Sequence, residues 1–219
     1  MTLRQTITAT IVAITALIYS LLIEPQWIEV TRHSKDIGLG VSEITIAQVS
    51  DLHTSSLGRA EKNTLTALRE VRPDVIVITG DAIDERGSLP ALDSFLQQLP
   101  NAVKIATLGN WEYWAEVDLE ELRDVYRKNG VTLLVNDCMT VSAKGAVINV
   151  IGLDDYTAGR PDLSLAVGRC EVEHPIVVAT HSPGLFDKTP PIPTESISLV
   201  LAGHTHGGQL AVGKHALYT

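Results

Sequence analysis

Carboxylates, imidazoles and one amide recur along this chain where apolar runs give way to loops. In order they are Asp51-Leu52-His53, Gly80-Asp81, Gly109-Asn110, His181 and Gly203-His204-Thr205-His206. A mixed set of oxygen and imidazole donors suits Mn, Fe or Zn better than calcium or a thiolate-bound structural zinc. Two adjacent divalent ions can turn a water into a nucleophile and neutralise a phosphate at once. The chemistry indicated is therefore hydrolysis of a phosphate ester at a dinuclear centre. Asp51 and His53 are two residues apart, as are His204 and His206. On extended backbone each pair would point to the same side. Asp81 and Asn110 each follow a glycine, which lets the chain turn sharply after a strand. The two oxygens of Asp81 would let one side chain serve two cations. Alone, an Asp-x-His or a Gly-Asp is a loop feature; five such segments in one chain are hard to attribute to packing.

The elements that must carry these donors follow from hydrophobic patterning. Ile44 to Val49, Asp74 to Thr79, Val103 to Leu108, Ile176 to Ala179 and Ile197 to Ala202 read as buried strands, with shorter strands at Val131–Val135 and Val147–Ile151. Helical spacing covers Arg59 to Val71, Leu89 to Leu99 and Leu119 to Lys128, the last stopped by Asn129-Gly130. Strands alternating with helices predict a layered α/β fold. In such folds sites lie beyond the carboxyl ends of strands. Asp51, Asp81, Asn110, His181 and His204 all follow such ends.

The chain has 219 residues, of which 45% are hydrophobic and 20% charged, so one globular domain is expected rather than disorder. A formal charge of -9 argues against a nucleic-acid groove. Bound cations would reverse that field locally, so an anionic substrate remains compatible. Cys138 and Cys170 lack metal-site spacing and read as small core residues, with a disulfide left open. Thr6 to Ile23 is an uncharged run of 18 residues, about 27 Å as a helix. That is the lower limit for spanning a bilayer. Arg4 precedes it and no small-residue cleavage site follows. The expectation is an uncleaved single-pass anchor, with Trp27 at the interface and the remainder of the chain outside the cytoplasm. The domain reading is residues 1–35 as anchor and linker and 36–219 as the catalytic domain.

The five donor segments resemble the calcineurin-like metallophosphoesterase superfamily, whose pattern runs D-x-H, G-D, G-N-H-[DE], H and G-H-x-H. The resemblance spans Ile44 to about Gln209. Residues 23–33 and Gly203-His204-Thr205-His206-Gly207-Gly208-Gln209 look like its membrane-associated bacterial branch, which includes exported phosphodiesterases and hydrolases of UDP-2,3-diacylglucosamine. The resemblance implies a four-layer α/β/β/α sandwich with the site at one edge. It also implies an inner-membrane location and cleavage of phosphodiester or pyrophosphate bonds, on a lipid-linked substrate if the anchor and tryptophans serve one. It assigns one divalent ion (Mn, Fe or Zn) to Asp51, His53, Asp81 and His206. The other falls to Asp81, Asn110, His181 and His204, with a bridging hydroxide as nucleophile. No protein partner can be inferred.

This chain departs from the pattern twice. Where the family has His after Gly-Asn, it reads Trp111-Glu112-Tyr113-Trp114. Indole is a donor that does not give up its proton near neutral pH. Three readings follow: Glu112 or Tyr113 replaces the missing acid, the leaving group needs none, or the protein binds without turnover. Trp111 and Tyr113 are candidate substrate contacts, whereas Trp114 is expected in the core. Asp84, Asp154 and Asp155 are either supports for the ligands or turn residues. The second departure is the C-terminus: after Gln209 the family continues through strands that close the second sheet, and here only ten residues follow. Missing C-terminal strands are the expectation.

Overall fold

A computed structural model describes residues 2–20, 26–40, 42–171, 173–188, 197–206, 210–212 and 215–218. Two four-stranded sheets dominate it. The first comprises β1 (Ile46–Val49), β2 (Val75–Thr79), β3 (Val103–Thr107) and β4 (Val131–Leu133), in that order and all parallel. The second comprises β5 (Asp137–Ala143), β6 (Ala146–Gly152), β7 (Ile176–Thr180) and β8 (Ile197–Ala202). In it β5 and β6 form an antiparallel hairpin and the later pairs are parallel. Lys144 and Gly145 both take left-handed φ at the hairpin tip, the geometry a two-residue turn needs to match strand twist. Strand β5 is absent from the sequence expectation because its residues, DCMTVSA, do not alternate cleanly.

Every residue of β2 and β7 is buried, as expected of strands covered on both faces. Val75, Val77 and Ile105 of the first sheet meet Ile148, Val150, Val177 and Ala179 of the second in one core. On its other face the first sheet packs against α2 (Arg59–Val71), α3 (Leu89–Leu96) and α5 (Leu119–Lys128). The second is backed by α6 (Leu163–Val167) and α7 (Gly184–Lys188). The order helix, sheet, sheet, helix follows directly. Helix α5 illustrates the local causes: the Asp118 side chain accepts the Glu120 N–H at 2.9 Å, with acidic residues in the first turn and Arg127 and Lys128 in the last. Beyond the second sheet, β9 (Leu210–Val212) and β10 (His215–Tyr218) pair antiparallel as a separate ribbon.

One expectation changes. Cys138 and Cys170 are joined as a disulfide rather than standing as separate core thiols. It ties β5 to the segment after α6, contacts that only the folded chain creates. The N-terminal helix α1 runs Leu3–Ile18, 16 residues or about 24 Å. Among the described residues no helix is long and apolar enough to cross a membrane. The predicted span extends into residues 21–25, which lie outside those described.

Candidate metal centre

Both sheets deliver their donors to one edge. Asp51, Asp81 and Asn110 follow β1, β2 and β3; His181 follows β7, and His204 and His206 follow β8. The structure sorts six of them into two groups whose ligand atoms lie within 4.8 Å of one another: Asp51, His53 and His206, and Asp81, His181 and His204. The two groups meet at Asp81. Its Oδ2 lies 3.0 Å from His181 Nε2 and 3.8 Å from His53 Nε2.

The side chains converge by a different route from the one the spacing suggested. Asp51, His53, Asp81, His204 and His206 all have positive φ, between 44° and 72°. They are therefore not extended; left-handed residues turn both members of each pair inward. Such backbone costs non-glycine residues energy and persists where surrounding bonds enforce it. Those bonds are present: Asp51 N–H donates to Gly80 O (3.2 Å), His53 N–H to Asp81 O (3.0 Å), and His204 N–H to the Asp51 carboxylate (3.1 Å). Glycine is required at 109, where a Cβ would stand 2.3 Å from Asp81 Oδ1.

The protonation pattern suits a cation. His181 Nδ1 lies 2.8 Å from Thr79 O, a pure acceptor, so Nδ1 carries a hydrogen, and Nε2, which faces Asp81 and His204, holds the proton that a bound cation would displace. Burial pushes the His181 pKa down, but the Asp81 carboxylate outweighs this and holds it at about 9. Asp81 is 2% exposed; burial raises its pKa, and His181, the Trp111 N–H and His53 more than reverse that. His53 Nδ1 contacts Asp84 Oδ1 at 2.6 Å, which leaves Nε2 as the free nitrogen. His53 Nε2 and Asn110 Oδ1 are buried and have no hydrogen-bond partner. An unpaired buried polar atom costs about 1–3 kcal/mol. Both atoms belong to the expected ligand set, one for each ion, and a pair of divalent ions would satisfy them. The donors fit such ions.

Elsewhere the placements differ from expectation. Glu112, considered as a proton donor, is fully buried in α4 (Asn110–Trp114). Its carboxylate accepts the N–H groups of Asp81 (3.1 Å), Ala82 (2.7 Å) and Gly109 (2.8 Å), so it clamps two ligand loops and presents no free oxygen. Burial raises its pKa; the Ala82 and Gly109 N–H groups work against that shift and the Asp81 carboxylate with it. The Tyr113 hydroxyl donates to Asp154 Oδ1 at 2.5 Å, and burial together with that carboxylate raises its pKa. Trp114, expected in the core, is 57% exposed. Trp111 stands edge to face against His53, with ring centroids 5.8 Å apart. Asp84 orients His53, resolving its alternatives. Asp155 is buried beyond β6 with Oδ2 accepting from Thr157 and Ala158 and Oδ1 unpartnered. Its only sequence signal was its place after a strand.

Four similarities bear on this site. The profile of the family described as calcineurin-like phosphoesterase matches residues 44–208. An uncharacterized metallophosphoesterase of Bacillus subtilis, YkuE, is 32% identical over 203 residues, covering 88% of this chain and 69% of the relative. A second from the same organism, YkoQ, is 27% identical over 173 residues, covering 77% and 63%. The Danio rerio transmembrane protein with metallophosphoesterase domain is 28% identical over 224 residues, covering 94% of this chain and 51% of its own length. The chain thus spans between about half and about two thirds of these relatives.

Proposed function

Because the chain belongs to the calcineurin-like phosphoesterase family, we propose that it is a metal-dependent hydrolase of phosphodiester or pyrophosphate bonds. The observation that carries the reading is the meeting of two donor groups at the buried carboxylate of Asp81. Asp51, His53, Asp81 and His206 would hold one divalent ion, and Asp81, Asn110, His181 and His204 the other. Two such ions, when bound, supply a nucleophilic water at neutral pH and positive charge against the phosphoryl oxygens. The chain's own residues set up the rest. Thr79 O and Asp84 orient the His181 and His53 rings, fixing which nitrogen faces the centre. Glu112 and the Trp111 N–H hold Asp81 in its turn.

The test is Mn²⁺-dependent hydrolysis of a chromogenic phosphodiester by the full chain in detergent, with Asp81→Asn beside it. Metal-dependent turnover that the variant loses upholds the reading. Equal turnover and equal metal content in both would sink it. A second reading, metal-dependent binding without turnover, draws on Trp111. Trp111→His separates the two: a large gain in turnover favours the hydrolase, and metal-loaded inactivity in both forms favours binding.

A membrane location is part of the proposal. Helix α1 carries Ile7, Ile11, Ile14 and Leu17 exposed, and no residue of it is buried. Trp27, 73% exposed, packs edge to face on Tyr19, as an interfacial anchor would. The disulfide supports an extracytoplasmic catalytic domain, since such bonds persist in oxidising compartments. Protease digestion of intact spheroplasts tests this; protection of the domain until lysis would reverse the orientation. A lipid-linked substrate rests on the same anchor, and equal rates on acylated and water-soluble diesters would remove it.

A further inference from the structure

An aromatic series leads from the metal centre to solvent. His206 stacks on His53 with centroids 5.2 Å apart and planes at 15°. His53 meets Trp111 at 5.8 Å and 90°, and Trp111 meets Trp114 at 5.8 Å and 69°. Tryptophan is usually well buried, yet Trp114 is more exposed than any other large hydrophobic described beyond the N-terminal segment. The tilted pairing leaves indole surface open to solvent. An open platform of this kind suits a planar ring, which stacks on one face. An acyl chain would need an enclosing apolar cleft. The chain beyond Trp114 instead presents exposed Glu116, Asp118 and Glu120, which do not suit an acyl chain.

The leaving-group chemistry points the same way. When water attacks phosphorus, a P–O bond forms and the ester P–O bond breaks. The electron pair of the broken bond stays on the departing oxygen. None of the three side chains next to Asn110 supplies that oxygen with a proton. The Trp111 indole is not an acid, Glu112 is buried with its oxygens occupied, and the Tyr113 hydroxyl is bonded to Asp154. A departing oxygen that is stable unprotonated suits this surrounding best. A phenol, with a pKa of about 10, meets that requirement far better than an aliphatic alcohol.

We propose that Trp111 and Trp114 form the leaving-group subsite and that it takes phosphate esters of planar aromatic alcohols. The proposal rests on the hydrolase reading. In the reaction the phenolate departs and takes its proton from solvent, while the attacking water loses one to solvent.

The experiment compares phenyl and cyclohexyl esters of methyl phosphate with the full chain and Mn²⁺. Each enzyme form is judged by its own phenyl-to-cyclohexyl ratio of kcat/KM, so intrinsic reactivity cancels between forms. Trp114→Ala should lower that ratio about tenfold, and Trp114→Phe should keep most of it. A ratio unchanged in Trp114→Ala, or lowered equally in both variants, overturns the proposal. Binding of phenyl phosphate, followed by calorimetry, gives a readout independent of turnover. If wild-type protein carrying Mn²⁺ hydrolyses neither ester, the phosphodiesterase reading fails by itself. Phenyl phosphate binding weakened about tenfold by Trp114→Ala would then still uphold the aromatic subsite, and equal binding would overturn it.

Discussion

Replacing Glu112 tests whether this residue holds the site together or donates a proton. Three backbone N–H groups end on its carboxylate, from Asp81, Ala82 and Gly109. Asp81 and Gly109 share Oε2, and Ala82 takes Oε1. Glutamine keeps one acceptor oxygen. If that oxygen serves Asp81 and Gly109, the amide NH₂ faces the Ala82 N–H and leaves it unpaired at a cost of about 1–3 kcal/mol. The opposite rotamer leaves two unpaired. Loss of the charge also weakens the bonds that remain. Glu112→Gln should therefore cost about 2–4 kcal/mol, and Glu112→Ala about 4 kcal/mol or more, because it strands all three donors and leaves a cavity. Such losses are a large share of the 5–15 kcal/mol that stabilises a typical domain. Guanidinium chloride denaturation reads them as a shift in midpoint at constant slope. Mn²⁺ affinity should fall alongside, because the clamped peptides carry Asp81 and Asn110. If Glu112→Gln stayed within about 0.5 kcal/mol of wild type, the clamp would be of no consequence. If it also lost on the order of 10²-fold or more in kcat, the acid role would be restored.

Removing Asp84 by Asp84→Ala deprives the His53 ring of its orienting partner. Mn²⁺ affinity should drop about 10–100-fold in titration calorimetry; an unchanged isotherm would show that the contact is incidental. Replacing both Cys138 and Cys170 by serine should cost about 3.7 kcal/mol for residues 32 apart, and wild-type protein should give no thiol signal until reduced. Lys128 and Asn129 hold the Asp93 carboxyl below the usual carboxylate range. A folded-state value below the unfolded one means a contribution present above the unfolded pKa of about 4 and lost as pH falls through the folded value. Asp93→Asn should thus cost up to about 1 kcal/mol at pH 7 and nothing measurable in urea melts near pH 2; an equal cost at both pH values would refute the linkage.

Much of the site was legible because its information is local. Apolar runs mark β1, β2, β3, β7 and β8, and donors directly after them mark the edge where strands end. Glycine before Asp81 and Asn110 marks turns, and Asn129-Gly130 marks the end of α5. Such signals depend on residues a few positions apart, and side-chain periodicity carries them. They also predicted an extended Asp51-Leu52-His53, wrongly, since local pattern does not reveal the bonds that force left-handed backbone. The His204 N–H reaches the Asp51 carboxylate across 153 residues, and no periodicity encodes that approach.

The amino-acid sequence by itself determined which donor types this chain owns and that they lie where strands give way to loops. Only the tertiary structure decided that His53 leans on Asp84, that Glu112 clamps two loops instead of facing the centre, that Trp114 stands in solvent, and that Cys138 meets Cys170. Each of these is a contact between segments brought together by the packing of two sheets. Their geometry depends on register and burial across the whole domain, and a linear pattern holds neither.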